Sequence, residues 1–254
     1  MSEKREKVAR FGIISKGIVY SIVGILTAMS AFNLGGGQSG SRDALSFLAE
    51  QSYGKVLLFI MGLGLLSYAF FRFYQVGNAS EEDSKKSAIK KVGYAISGII
   101  YLGLSVYSFT LLSGNSSGNS SDFLNFIHNE TTKTMVLFLI ALGLLAKGIY
   151  ELYRAYSKKY KEDIGATLGT NAEGVFLKWA RFGITSRALV FIIMGFLTGR
   201  GALKNDSSLG SKTDAFSFIK QEFGATVLGL IAIGLVGYGV FLFIKSKYAK
   251  VALK

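Results

Sequence analysis

Three ionisable side chains stand inside otherwise apolar runs, Lys16, Lys147 and Arg187, and a fourth, Glu151, follows Lys147 by four residues. That spacing puts Lys147 and Glu151 on one face of a helix and lets them pair. A charged side chain in hydrocarbon costs several kcal/mol, about 2.5 to 3.5 on insertion scales, so each asks for a partner, a ligand or a route to the interface. Basic groups beside hydroxyls suit a carboxylate, a phosphate or a lipid headgroup. For Lys16 and Arg187 other outcomes stay open. They lie about 8 Å inside the interface at 1.5 Å rise per residue, near enough to snorkel to headgroups, and they can also pair between helices. Little points to catalysis. Ser15 and Ser186 adjoin Lys16 and Arg187, but adjacent helical residues point ~100° apart, and no oxyanion donor accompanies them. With no cysteine and a single histidine, His128, the usual zinc and iron ligand sets are out of reach. No catalytic residue, metal or cofactor is therefore expected, and the protein is expected not to be an enzyme.

The stretch that carries these residues occurs three times. Residues 9–24 read ARFGIISKGIVYSIVG, residues 90–105 read KKVGYAISGIIYLGLS, and residues 180–195 read ARFGITSRALVFIIMG. Gly12, Gly93 and Gly183 stand in register, as do Tyr20, Tyr101 and Phe191. Each copy is followed by a second apolar run, so the chain divides into repeats at 1–80, 81–160 and 161–254, the last led by a linker, within one integral domain. Superposing the copies sets Lys16, Ser97 and Arg187 at one level and Tyr68, Lys147 and Tyr238 at a second. Arg72, Glu151 and Leu242 stand one turn beyond. Lys16, Ser97, Arg187, Tyr68, Lys147, Tyr238 and Glu151 form the candidate binding set. Asp43, Asp122 and Asp214 also share a register, each before a short apolar segment, where an acid serves as a helix cap.

Half of the 254 residues are hydrophobic, 18% are charged and the mean hydropathy is +0.38, which suits a bilayer better than water. Six apolar runs are long enough to span, near residues 11–32, 56–76, 92–112, 134–153, 182–199 and 224–244. The fold class expected is an all-α integral membrane protein of three two-helix repeats, arranged as a pseudo-threefold bundle about an axis along the membrane normal. No proline is present to break a span. The net charge of +13 invites a nucleic-acid reading. However, about two-thirds of the 29 cations fall on the side of the spans that holds both termini, while the acids divide almost evenly. A basic cytoplasmic face explains this, so no nucleic-acid partner is expected and both termini should be cytoplasmic. The 157–179 stretch reads as a cytoplasmic linker with Trp179 at the interface. His128 reads as a solvated loop residue.

The Ala-Arg-aromatic-Gly opening, the Ser-Lys-Gly or Ser-Arg-Ala that follows, the later Tyr or Phe, the Asp-Ala-Leu segment and Gly-Leu-Leu-x-Tyr in the second span resemble the bacterial membrane proteins of the domain of unknown function 1206 family. The likeness covers nearly the whole chain. It implies a six-span protein of the bacterial cytoplasmic (inner) membrane, and it carries no activity with it. The second copy departs most, with Lys91 for the arginine, Ser97 for the basic residue and Lys147 for tyrosine. The functional expectation is a transporter or channel-like module with a cationic central site for an anionic small molecule or lipid headgroup. The alternative is a non-transporting scaffold that docks a protein partner through its cytoplasmic or outer loops. Membrane lipids are partners in either case.

Overall fold

The computed structural model describes residues 3–35, 40–78, 84–114, 130–157, 170–204 and 210–248. His128 and Asp122 lie outside the described residues. Among the described residues the chain forms seven helices: α1 (Glu3–Ala31), α2 (Ser41–Ala49), α3 (Gly54–Asn78), α4 (Ser84–Leu112), α5 (Glu130–Tyr156), α6 (Thr170–Leu203) and α7 (Lys212–Tyr248). All but α2 are long and apolar enough to cross a membrane, over Glu6–Ala31, Gly54–Asn78, Lys91–Leu112, Thr131–Tyr156, Phe176–Leu203 and Lys212–Lys247. In hydrocarbon an unpaired backbone amide costs several kcal/mol, and a helix satisfies its own, so apolar runs without proline settle into continuous helices. The chain is a multi-pass membrane protein.

Two segments differ from what the sequence suggests. The stretch read as linker up to Trp179 is helical from Thr170 onward, because its apolar piece packs: Phe176 stacks on Phe241 with ring centroids 6.4 Å apart. Trp179 itself is half exposed. In the third copy the short helix after the loop runs directly into the last span. Only Gly224 interrupts it, at φ 84° and ψ 169°, a region essentially reserved for glycine.

Helices α1 and α7, α3 and α4, and α5 and α6 form the three most extensive interfaces, joined by α6 on α7 and α1 on α3. Neighbours therefore run α4–α3–α1–α7–α6–α5. Small residues set these contacts by letting backbones approach. A Cβ on Gly17 would meet the Phe243 ring at 2.8 Å, and one on Gly98 the Phe73 ring at 2.9 Å. Gly24 faces Val236 as Gly195 faces Leu145. The start of α1 meets the end of α7 where Arg10 Nη1 donates to the Lys247 carbonyl at 3.1 Å.

At the opposite end, α2 and the first turns of α7 form a cap. Ala44 and Leu45 of α2, with Ala215, Phe216 and Ile219 of α7, are fully buried beneath it. Lys212 Nζ donates to Ser41 Oγ at 2.5 Å, Thr213 Oγ1 to Asp43 Oδ2 at 3.1 Å, and Lys220 Nζ to the Ser30 carbonyl at 3.1 Å. Asp43 and Asp214 stabilise helix starts from the third helical position rather than from the cap itself. The Gly40 amide donates to Asp43 Oδ2 at 2.7 Å and the Ser211 amide to Asp214 Oδ2 at 2.8 Å. Ser211 Oγ returns the bond by accepting from the Asp214 amide.

Candidate functional site

Midway along the bundle, side chains from all six spans meet. Lys16 of α1 is buried at 3% exposure, so it does not reach the headgroups. Its Nζ donates to Tyr68 Oη of α3 at 3.1 Å and lies 4.8, 5.0 and 5.9 Å from the ring centroids of Tyr68, Tyr101 and Tyr238. Arg187 of α6 is equally enclosed, at 5%. It donates to Tyr238 Oη and pairs with Glu151 Oε1 of α5 at 3.3 Å. Its guanidinium carbon lies 5.5, 5.1 and 4.6 Å from the rings of Tyr20, Phe191 and Tyr238. Rings of this kind present a negative face to a cation and replace part of the hydration it loses on burial.

Glu151 takes Arg187 and Arg154 as its partners, the second at 3.5 Å, and not Lys147 as the i, i+4 spacing suggests. The carboxylate turns across to the neighbouring helix, where the buried Arg187 guanidinium stays charged and meets it through Nη1. Lys147 Nζ instead lies 5.3 Å from the Phe191 ring. Ser97 is buried on α4, one turn before Tyr101. The seven residues singled out in the sequence thus all sit in the bundle interior, with Lys147 the most exposed of them.

Close backbone approach holds two of the three hairpins in this geometry. A Cβ on Gly12 would fall 2.6 Å from the Tyr68 nitrogen, and one on Gly183 would fall 2.5 Å from the Tyr238 nitrogen. Ser15 sits against Gly64 and Ser186 against Gly234 in the same way. Each serine faces a glycine of the neighbouring helix while the adjacent cation faces a tyrosine, so serine and cation serve different partners.

The result is a core rich in donors. Lys16, Arg72, Lys147 and Arg187 stand with the hydroxyls of Tyr20, Tyr68, Tyr101 and Tyr238, and the one carboxylate there among the described residues, Glu151, is already shared by two arginines. Arg187 Nε is buried with no acceptor among the described residues. Such an arrangement can receive an anionic oxygen.

The family described as Domain of Unknown Function (DUF1206) matches this chain three times, over residues 11–77, 92–158 and 182–249. The chain belongs to the DUF1206 family. It is similar to Uncharacterized protein YxxB of Bacillus subtilis (strain 168), with 22% identity over 251 residues, covering 96% of this chain and 90% of that protein. No solved structure matches it.

Several residues of this DUF1206 core escaped the choice of site residues. Tyr20, Tyr101 and Phe191 line it, and their shared place eight residues after Gly12, Gly93 and Gly183 was the available signal. Arg72 donates through Nε to Tyr68 Oη at 2.9 Å and through Nη1 to Gln75 Oε1 at 2.7 Å. Lys212, from the cap, places Nζ 4.5 Å from the Tyr20 ring. It lies some 190 residues from Tyr20 in sequence, and nothing in the pattern links the two.

Proposed function

We propose that the protein is a non-enzymatic, membrane-embedded binding module, a transporter or channel-like unit. Its core receives an anionic group, the carboxylate or phosphate of a solute or a lipid headgroup. The observation that carries this proposal is the convergence of Lys16 and Arg187 among tyrosine hydroxyls, with Arg187 Nε buried and lacking an acceptor among the described residues. A buried donor with no partner costs about 1–3 kcal/mol, a cost that an anion bound there removes.

A pseudo-threefold arrangement of the hairpins is supported by contacts that the repeat register makes equivalent. Tyr68 meets Tyr101 edge-on at 4.6 Å, Tyr238 meets Tyr20 edge-on at 4.9 Å, and Lys147 meets Phe191 at 5.3 Å. In each case the second span of one copy touches the first span of the next. The three largest helix interfaces are equivalent in the same sense. The excess of basic residues at the end that holds both termini supports a cytoplasmic location for that end in a bacterial inner membrane.

The test is thermal unfolding of the purified protein in zwitterionic detergent, titrated separately with inorganic phosphate, acetate and a short-chain phosphatidylglycerol. A ligand of the folded state stabilises it by mass action, by about 2.7 kcal/mol at 100 times its Kd. At least one anion should stabilise the protein, with the effect lost in Lys16→Met and retained in Lys16→Arg. No shift with any of the three overturns the proposal.

A further inference from the structure

The three hairpins are not closed alike. In the first and third, the two spans lock through Gly12 on Tyr68, Gly183 on Tyr238, Ser15 on Gly64 and Ser186 on Gly234. The register assigns the second hairpin the pairs Gly93 on Lys147 and Ile96 on Gly143. Neither forms: a Cβ at Gly93 or at Gly143 would have nothing within 4 Å, and Ile96 is 47% exposed. Helices α4 and α5 share no extended interface among the described residues, and they are the least buried of the six spans. Among the described residues the bundle therefore carries a lateral seam between α4 and α5.

The chemistry along that seam is graded. Its α4 wall is aliphatic: Ile96 is exposed where the closed hairpins bury Ser15 and Ser186, and Val92, one turn away, is exposed too. At its inner edge stands Lys147, in the register position where the closed hairpins have Tyr68 and Tyr238. Lys147 and Arg187 flank the same Phe191 ring, at 5.3 and 5.1 Å. Elsewhere the core is enclosed by the α1–α3 and α6–α7 interfaces and, from the loop end, by Lys212 over Tyr20. An apolar slot that faces the acyl chains and ends at two cations is complementary to one kind of molecule, an amphiphile with an anionic head.

We infer that a single anionic phospholipid occupies the α4–α5 seam, its phosphate held by Lys147 and Arg187 and an acyl chain lying along the α4 wall. The inference rests on the anion-binding reading of the core and names the source of the anion as the bilayer. Packing is what the other two hairpins have at this place, and the substitution of lysine for tyrosine occurs only where packing is missing. The phosphate would also supply Arg187 Nε with its acceptor.

Because the chain contains no cysteine, the seam can be closed chemically without side reactions. Ile96→Cys/Gly143→Cys protein is delipidated and bridged by a reducible bis-thiol reagent. Native mass spectrometry then counts bound phosphatidylglycerol against phosphatidylcholine, and a separate titration follows inorganic phosphate by thermal unfolding. Phosphatidylglycerol should bind the unbridged protein in preference to phosphatidylcholine. Bridging should abolish its binding, reduction should restore it, and Lys147→Tyr should weaken it about tenfold to a hundredfold, the value of a charge-assisted contact. Phosphatidylglycerol binding that survives bridging overturns the lateral seat while leaving an anion site in the core. Failure of phosphatidylglycerol to bind, together with no stabilisation by inorganic phosphate or acetate, overturns the core proposal as well. A dimer that dissociates on bridging assigns the seam to a second copy of the chain and overturns the lipid.

Discussion

Replacing Glu151 by glutamine removes the carboxylate from a buried pair while keeping its shape. Glu151 and Arg187 are 6% and 5% exposed and their charged atoms are 3.3 Å apart. At that distance and an effective dielectric near 20, their attraction is about 5 kcal/mol. Glutamine also no longer carries the cost of desolvating a buried carboxylate, which offsets about 2 kcal/mol of that attraction. Glu151→Gln should therefore destabilise the fold by about 3 kcal/mol, at the lower end of what breaking a buried pair costs. Arg187→Met should cost less, about 1–2 kcal/mol, because Glu151 still has Arg154. The double variant leaves neither charge stranded and should fall well short of the sum, with a coupling of about 2–3 kcal/mol. Unfolding in mixed micelles, titrated with sodium dodecyl sulfate, measures all four corners of this cycle. A Glu151→Gln protein within about 0.5 kcal/mol of the parent, or a cycle that is simply additive, would refute the reasoning.

Three further outcomes follow from particular contacts. Gly12→Ala and Gly183→Ala push a methyl into the backbones of Tyr68 and Tyr238 and should each cost about 1–3 kcal/mol, whereas Gly93→Ala meets nothing and should be neutral or stabilising by up to ~1 kcal/mol; equal losses at all three would mean that the second hairpin is packed like the others. Gly224→Ala forces a side chain into φ 84°, ψ 169° and should lower stability by about 1–3 kcal/mol in the same titration, so an unchanged midpoint would count against the break in α7. Asp214→Ala removes the acceptor for the Ser211 amide and hydroxyl and should cost about 1 kcal/mol, while Asp214→Asn, which keeps an acceptor oxygen, should recover part of it; equal losses would tie the effect to charge instead.

The amino-acid sequence by itself determined the six spans, the threefold duplication and the level at which each unusual residue stands. Those properties depend on hydropathy and periodicity, which are local and survive without knowledge of any neighbour. It also singled out Lys16 and Arg187, since a charge in an apolar run is costly wherever the helix goes. Whether those charges turn to the headgroups or to the interior was open, because both solve the same local problem and differ only in which helices lie alongside. Tertiary structure decided for the interior, through tyrosines some fifty residues away. It also gave Glu151 to Arg187 instead of Lys147, a choice between a partner on the same helix and one on the next. The seam between α4 and α5 had the least trace of all. Gly93 matches Gly12 and Gly183 letter for letter, and Gly143 matches Gly64 and Gly234, so identical glycines pack tightly in two hairpins and face open space in the third. A glycine permits close approach, but only the facing helix can supply it.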